Sequence, residues 1–248
     1  MKRPSRRALL TTGFSAAGLA VAARLADRYG LIPPDHGGLY GPGATLTYAA
    51  HRLLAYDSLA REFPRQLISA RPFANPVAPP GEDFKRHQAE GFTHWRLAVD
   101  GLVERPASLS LADLKRLPVR SQITQLACEE GWSYIAEWTG TPLSEILDAV
   151  GARPQARWVV YFSMEHGWWE SIDMADALHP QTLMSYAMNG GDLPVGFGGP
   201  LRLRVPRQLG YKSLKFVARL TVTDNLKKFG KGLGSASPEA GYSWYAGI

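Results

Sequence analysis

Cys128 is the only cysteine in the 248 residues, so no internal disulfide can form and the thiol is either buried packing or chemistry. Its setting favours chemistry. The mix of polar and β-branched residues over Ser121–Leu126 predicts a strand, and Glu129-Glu130-Gly131 interrupts it. Cys128 is therefore expected where a strand ends and a loop opens, as a soft metal ligand or a nucleophile. No His-x-x-His, Cys-x-x-Cys or His-Glu-x-x-His pattern accompanies it, which argues against a zinc site built by the protein alone. A second constellation is Val205–Lys215, VPRQLGYKSLK, with Arg202 just upstream. Cations beside glycine suit a phosphate monoester; the competing expectation is a basic surface hairpin. A third is the loop Glu165-His166-Gly167-Trp168-Trp169, where His166 either lines a substrate mouth or is structural.

The run Cys128-Glu129-Glu130-Gly131-Trp132-Ser133, followed by Glu137-Trp138-Thr139-Gly140 and Pro142-Leu143, resembles the cysteine segment of molybdopterin-dependent oxidoreductases of the sulfite-oxidase fold. It is most similar to their bacterial periplasmic branch, which includes methionine-sulfoxide reductase catalytic subunits. The resemblance spans roughly Trp95 to Asp224. It implies an α+β fold of β-rich mixed sheets with short helices, and a molybdenum-molybdopterin cofactor whose metal the Cys128 thiolate ligates. It also implies that Ser163 replaces the family's pterin-contacting Thr, that Phe197 stands where the family has Asn, and that Arg202 and Gly210-Tyr211-Lys212 contact the pterin phosphate. In the N-terminal arm the family's pterin-contacting Asn and Tyr are absent, and His51 and Arg52 either substitute as donors to a phosphate or belong to a solvated helix face. Trp132 and His166 are expected at the substrate pocket.

The implied reaction is two-electron oxygen-atom transfer on a small molecule, with single electrons exchanged with a haem protein. The chain has no Cys-x-x-Cys-His, so that haem would belong to another protein, a membrane b-type or a soluble c-type cytochrome. Relatives often carry Arg or His where this chain has Gln125, Leu126 and Ala127. A sulfite dianion wants cations there, so a sulfoxide-like substrate is expected instead. The same loss of charge supports the alternative of a non-catalytic cofactor-binding or electron-transfer module.

The elements that must position these groups follow from the remaining pattern. Lys2, Arg3, Arg6 and Arg7 precede a small, weakly apolar stretch to Ala23, which predicts a twin-arginine export signal over residues 1–26. That leads to the export machinery and the periplasm, with the signal cleaved after Ala20-Val21-Ala22 or kept as an anchor. These four cations supply four of the six net positive charges, so nothing points to nucleic-acid binding. Residues 27–91 read as an irregular, Pro- and Gly-broken arm with one helix over Tyr48–Phe63, and 92–248 as the cofactor-binding domain. Within it, Trp95, Leu97 and Val99 lead into a hairpin turning at Asp100-Gly101. Ser110 and Asp113 cap a short helix, and Pro142 opens another that runs to Val150. Strands are expected over Arg157–Phe162, Leu183–Met188, Arg202–Val205 and Lys215–Thr223, and a helix over Ile172–Leu178. The aromatic tail Tyr242-Ser243-Trp244-Tyr245 is expected to pack over the site or a partner surface.

Overall fold

The structure is a computed structural model that describes residue 26 and residues 30–38, 40–75, 78–79 and 81–248. Residues 1–25 of the expected export signal lie outside the described residues. The chain divides into two compact units, one ending at Ala55 and the other running from Tyr56 to Ile248. In the first, helix α1 spans Gly41–Leu54, with Pro42 in its first turn and the Arg52 guanidinium 5.0 Å from the Tyr48 ring centre. The helix thus starts earlier than expected, where proline presets its backbone angle, and it stops before Leu59 and Phe63. Those two residues belong to the second unit. There Phe63 donates its N–H to the Ile123 carbonyl at 2.9 Å and Glu62 bridges Thr124, so apolar spacing carried over from a helix was read across a chain that is already extended.

The second unit adds helix α2 (Glu82–Ala89), strands β1 (Leu97–Gly101) and β2 (Ala107–Leu109), helix α3 (Leu111–Arg116), strands β3 (Arg120–Ala127) and β4 (Ser133–Pro142) and helix α4 (Leu143–Val150). Strands β5 (Trp158–Ser163) and β6 (Trp169–Asp173), helix α5 (Met174–Ala177), strands β7 (Leu183–Met188), β8 (Gly191–Asp192), β9 (Arg202–Arg204) and β10 (Val217–Thr223), and helix α6 (Ala236–Glu239) complete it. One sheet runs β2-β1-β10-β5-β6, with β1 and β10 parallel and the other pairs antiparallel. The other runs β3-β4-β7-β8, and β9 pairs with β7. This is the α+β arrangement of mixed sheets and short helices that the sequence predicts.

The local chemistry explains most boundaries. Ser110 and Asp113 form the reciprocal capping box that starts α3. Pro142 is the residue before α4 rather than inside it, and Gly151 ends that helix in the left-handed region at φ 66°. Leu143, Ile146, Leu147 and Val150 of α4 are buried with Leu97, Val99, Val159, Leu220 and Val222 in the main core. Ile172 lies on β6, so the expected helix shortens to α5, started by the Asp173 side chain accepting from Asp176 N. Strand β9 is buried at all three positions, which its alternating sequence hid.

Candidate active site

Strands β3 and β4 pair without a break from Arg120↔Gly140 to Ala127↔Ser133. That register leaves Cys128–Trp132 as the connecting loop. Cys128 N donates to Trp132 O (2.9 Å), Gly131 N donates to Cys128 O (3.1 Å), and Gly131 takes φ 90°, which a side chain would strain. The Cys128 thiol donates to Glu129 Oε2 at 3.3 Å. Burial first, and the Glu129 carboxylate after it, push the thiol up to about 11, against an opposing backbone N–H at Glu130. Alone it stays protonated at neutral pH; a bound metal cation would displace that proton.

Cys128 opens on a cavity of about 220 Å³. Most of its walls come from four places in the chain: Leu126, Glu129 and Trp132 beside the cysteine, Glu165 and Trp168 from the β5–β6 loop, Arg202 on β9, and Gly210, Tyr211, Ser213, Leu214 and Lys215 before β10. Asn75 and Ser237 complete it. Gly210 joins two of these groups. A Cβ built there would lie 3.3 Å from Ala127 O, Cys128 Cα and Leu126 Cδ2 alike, so the absence of a side chain lets the turn sit directly against the cysteine.

Two cations line this cavity, Arg202 and Lys215, and a third, Arg204, is bonded to the lining residue Ser213. Arg202 donates to Ser213 O (2.9 Å) and Phe197 O (3.0 Å). Arg204 donates to Ser213 Oγ (2.8 Å), and its buried Nε has no partner. Lys215 Nζ donates to Asn75 O and Gly196 O, both at 2.7 Å. Among the described residues none of the three is ion-paired with a carboxylate. Both guanidinium groups lie over the Trp138 ring, at 5.5 and 4.8 Å. Burial lowers all three, and the Arg202 charge adds to the effect at the other two: Arg202 falls below the usual arginine range, Arg204 drops to about 9 and Lys215 to about 8. Buried cations held by neutral carbonyls are a standing attraction for an anion. A soft sulfur donor and an anion-seeking cation cluster in one cavity fit a cofactor that carries both a metal and a phosphate.

Of the expected site residues, Cys128, Trp132, Arg202, Gly210 and Tyr211 meet at this cavity. Lys212 does not. Its side chain is fully buried, with Nζ donating to Glu170 Oε2 (2.9 Å), Ser171 O (3.1 Å) and Ser235 Oγ (3.3 Å). Ser163 caps its own loop, accepting from Glu165 N at 2.9 Å. Phe197 packs edge-on against Tyr134 in an aromatic cluster and offers its carbonyl to Arg202. His166 is exposed on the loop between Glu165 and Trp168. His51 and Arg52 lie in the last turn of α1, in the first unit. The sequence points to the Glu165–Trp169 loop and the Val205–Lys215 run, but within them it singles out His166 and Lys212 rather than Glu165, Trp168 and Lys215. Lys215 ends the same VPRQLGYKSLK run, but no local pattern tells which of its lysines turns toward the cavity.

The C-terminal tail packs over this region. Tyr211 OH donates to Ser243 O (2.6 Å), Trp244 Nε1 to Ser171 Oγ (2.8 Å) and Leu209 N to Ala246 O (2.9 Å).

Residues 85–229 match the family model described as "Oxidoreductase molybdopterin binding domain". A proposed protein-methionine-sulfoxide reductase subunit, YedZ1, of Azospira oryzae is 36% identical over 77% of this chain and 69% of its own length. The protein-methionine-sulfoxide reductase catalytic subunit MsrP of Ralstonia nicotianae is 32% identical over 52% of this chain, which spans 44% of that relative. Among solved structures, the sulfane dehydrogenase SoxCD of Paracoccus pantotrophus superposes with a TM-score of 0.50 and 26% identity, covering 52% of this chain and 38% of that one. A match over more than half its length places the chain in the molybdopterin-binding oxidoreductase family, as an enzyme of the sulfite-oxidase fold.

Proposed function

We propose that this chain is the catalytic subunit of a periplasmic system that reduces sulfoxide-like small molecules by two-electron oxygen-atom transfer. It is exported folded by the twin-arginine route, and its electrons arrive singly from a separate haem protein, a membrane b-type or soluble c-type cytochrome. The observation that carries this reading is the meeting of Cys128 with Arg202 and Lys215 at one cavity. Cys128 would hold a molybdenum ion, and Arg202 and Lys215 would neutralise the pterin phosphate. When bound, the molybdopterin supplies the redox chemistry. The protein's own part is to hold, orient and exclude water.

The substrate preference rests on the walls. Leu126, Trp132, Trp168 and Leu214 line the same cavity as Arg202 and Lys215 and would offer apolar surface to a thioether-like group. Gln125, Leu126 and Ala127, the last residues of β3 before Cys128, carry no charge. Relatives named as methionine-sulfoxide reductases support the same class.

The test uses protein made in a host that synthesises the cofactor. Metal analysis with an electron paramagnetic spectrum of the partly reduced protein should give close to one thiolate-bound molybdenum per chain. Steady-state assays with a viologen donor should then favour methionine sulfoxide. Fast turnover of sulfite with little reduction of sulfoxides would overturn the substrate assignment, and colourless, molybdenum-free protein would overturn the whole reading.

A further inference from the structure

The β5–β6 loop brings to the cavity a partly buried carboxyl from outside the cysteine motif and the cation cluster. Ser163 N donates to Trp168 O (3.0 Å), Ser163 Oγ accepts from Glu165 N (2.9 Å), and Trp168 N donates to Glu165 O (3.3 Å). These bonds fix a short loop in which His166, Gly167 and Trp168 are exposed, and Glu165 and Trp168 line the cavity that holds Cys128. The other carboxylates near it differ: Glu129 and Glu130 are exposed, Glu130 accepts from Trp132 Nε1 (2.8 Å) and Asn75 Nδ2 (3.3 Å), and Glu129, which accepts from the Cys128 thiol in the cofactor-free protein, is next to the proposed metal ligand in sequence. Among the described residues the Glu165 carboxyl makes no hydrogen bond or ion pair with the protein, although it is half-buried and lines the site.

We propose that Glu165 is the proton donor to the oxygen that leaves the substrate, a role that rests on the oxygen-atom-transfer reading above. Reduction of one sulfoxide takes up two electrons and two protons and yields one thioether and one water. The sulfur–oxygen bond breaks, sulfur is reduced, and the two electrons come from the reduced molybdopterin centre, refilled by the one-electron haem donor. The departing oxygen needs two protons before it can leave as water. Glu165 gives one and is reprotonated from solvent through the exposed loop; the second comes from solvent. A general acid must hold its proton at working pH. Burial raises the Glu165 carboxyl above the ordinary range, and Lys215 opposes this only in part. The charged and titratable groups that share the cavity are Lys215, Arg202 on β9, Tyr211, and Cys128 and Glu129 on the β3–β4 loop, with exposed His166 beside Glu165 in sequence.

The test compares holo wild type with Glu165→Gln at equal molybdenum content. The expected result is a kcat for methionine sulfoxide lower by about 10²-fold or more with KM little changed. In wild type kcat should fall as pH rises through the Glu165 titration; the variant should lack that limb, and Glu165→Asp should regain part of it. Independently of turnover, infrared titration of wild type, with or without cofactor, should show a carboxylic C=O band that persists above the usual glutamate range and vanishes in Glu165→Gln. A Glu165→Gln enzyme with wild-type kcat and pH profile overturns the proposal alone, as does a wild-type titration without that band. Molybdenum-loaded wild type that reduces no oxo-donor overturns the functional reading and this proposal with it.

Discussion

Two lysines three residues apart should fail in opposite ways. Lys212 and Glu170 are 0% and 1% exposed and 2.9 Å apart. Replacing Lys212 by Met leaves a buried carboxylate without its cation, which costs about 3–5 kcal/mol. For a unit of this size that lowers Tm by roughly 6–20 °C. Lys215 is the reverse case. Its ammonium is lowered from 10.5 to about 8 by burial and Arg202, so the folded protein carries a penalised charge. Unscreened, that shift corresponds to about 3 kcal/mol, and partial exposure reduces it to roughly 1–2 kcal/mol. The sign follows from proton counting. Between pH 8 and 10.5 the unfolded chain keeps a proton that the folded chain has released, so stability rises with pH across that window and the full penalty applies below it. Cofactor-free Lys215→Met should therefore gain roughly 2–8 °C at neutral pH and lose the alkaline rise. It should also retain less cofactor, because an anion has lost a buried cation. Thermal scans of both cofactor-free variants from pH 7 to 10.5, with molybdenum content of the matching holo preparations, check this. The reasoning fails if Lys215→Met melts as low as Lys212→Met, or if Lys212→Met keeps its Tm and loses only the cofactor.

Gly210→Ala adds one methyl 3.3 Å from three atoms of the cysteine strand and loop, so it should cost about 1–3 kcal/mol and lower the cofactor occupancy, read by thermal unfolding and metal content. Because Gly210 does not occupy the left-handed region, the loss would be steric. Cys128→Ala should fold with an unchanged circular-dichroism spectrum yet lose the thiolate-bound molybdenum signal and turnover together. Arg6→Lys with Arg7→Lys should hold folded protein in the cytoplasm, as cell fractionation would report.

The parts legible in the sequence are those whose cause is local. β3 and β4 are a hairpin closed by Gly131, so strand-end chemistry at Cys128 follows from neighbouring residues. The apolar face of α4 and the capping box of α3 are equally local. The misread parts depend on distant chain. Asp100-Gly101 looks like a hairpin turn, but β1 pairs with β2 only from Ala107, and Gly101 continues alongside β10. A Cβ at Gly101 would meet Val222 O at 2.1 Å, so this glycine permits a close approach and not a reversal. Likewise Lys212 turns inward because Glu170 waits on β6, a partner far along the chain.

That inward lysine is what makes the cavity side of the turn available. Lys212 is held from within by Glu170 and Ser235, and Glu170 accepts in turn from Ser237 N (2.9 Å). Tyr211 is held from the tail side by Ser243 O. With Tyr211 and Lys212 held, Gly210 sits against Cys128, and the chain leaving the turn brings Ser213, Leu214 and Lys215 to the cavity. The buried Lys212–Glu170 pair thus helps to hold the turn that sets Gly210 against Cys128 and Lys215 at the cavity, without touching the sulfur ligand. A metal–thiolate site gains from this, because a ligand set already in place has little conformational freedom left to lose when the cofactor arrives.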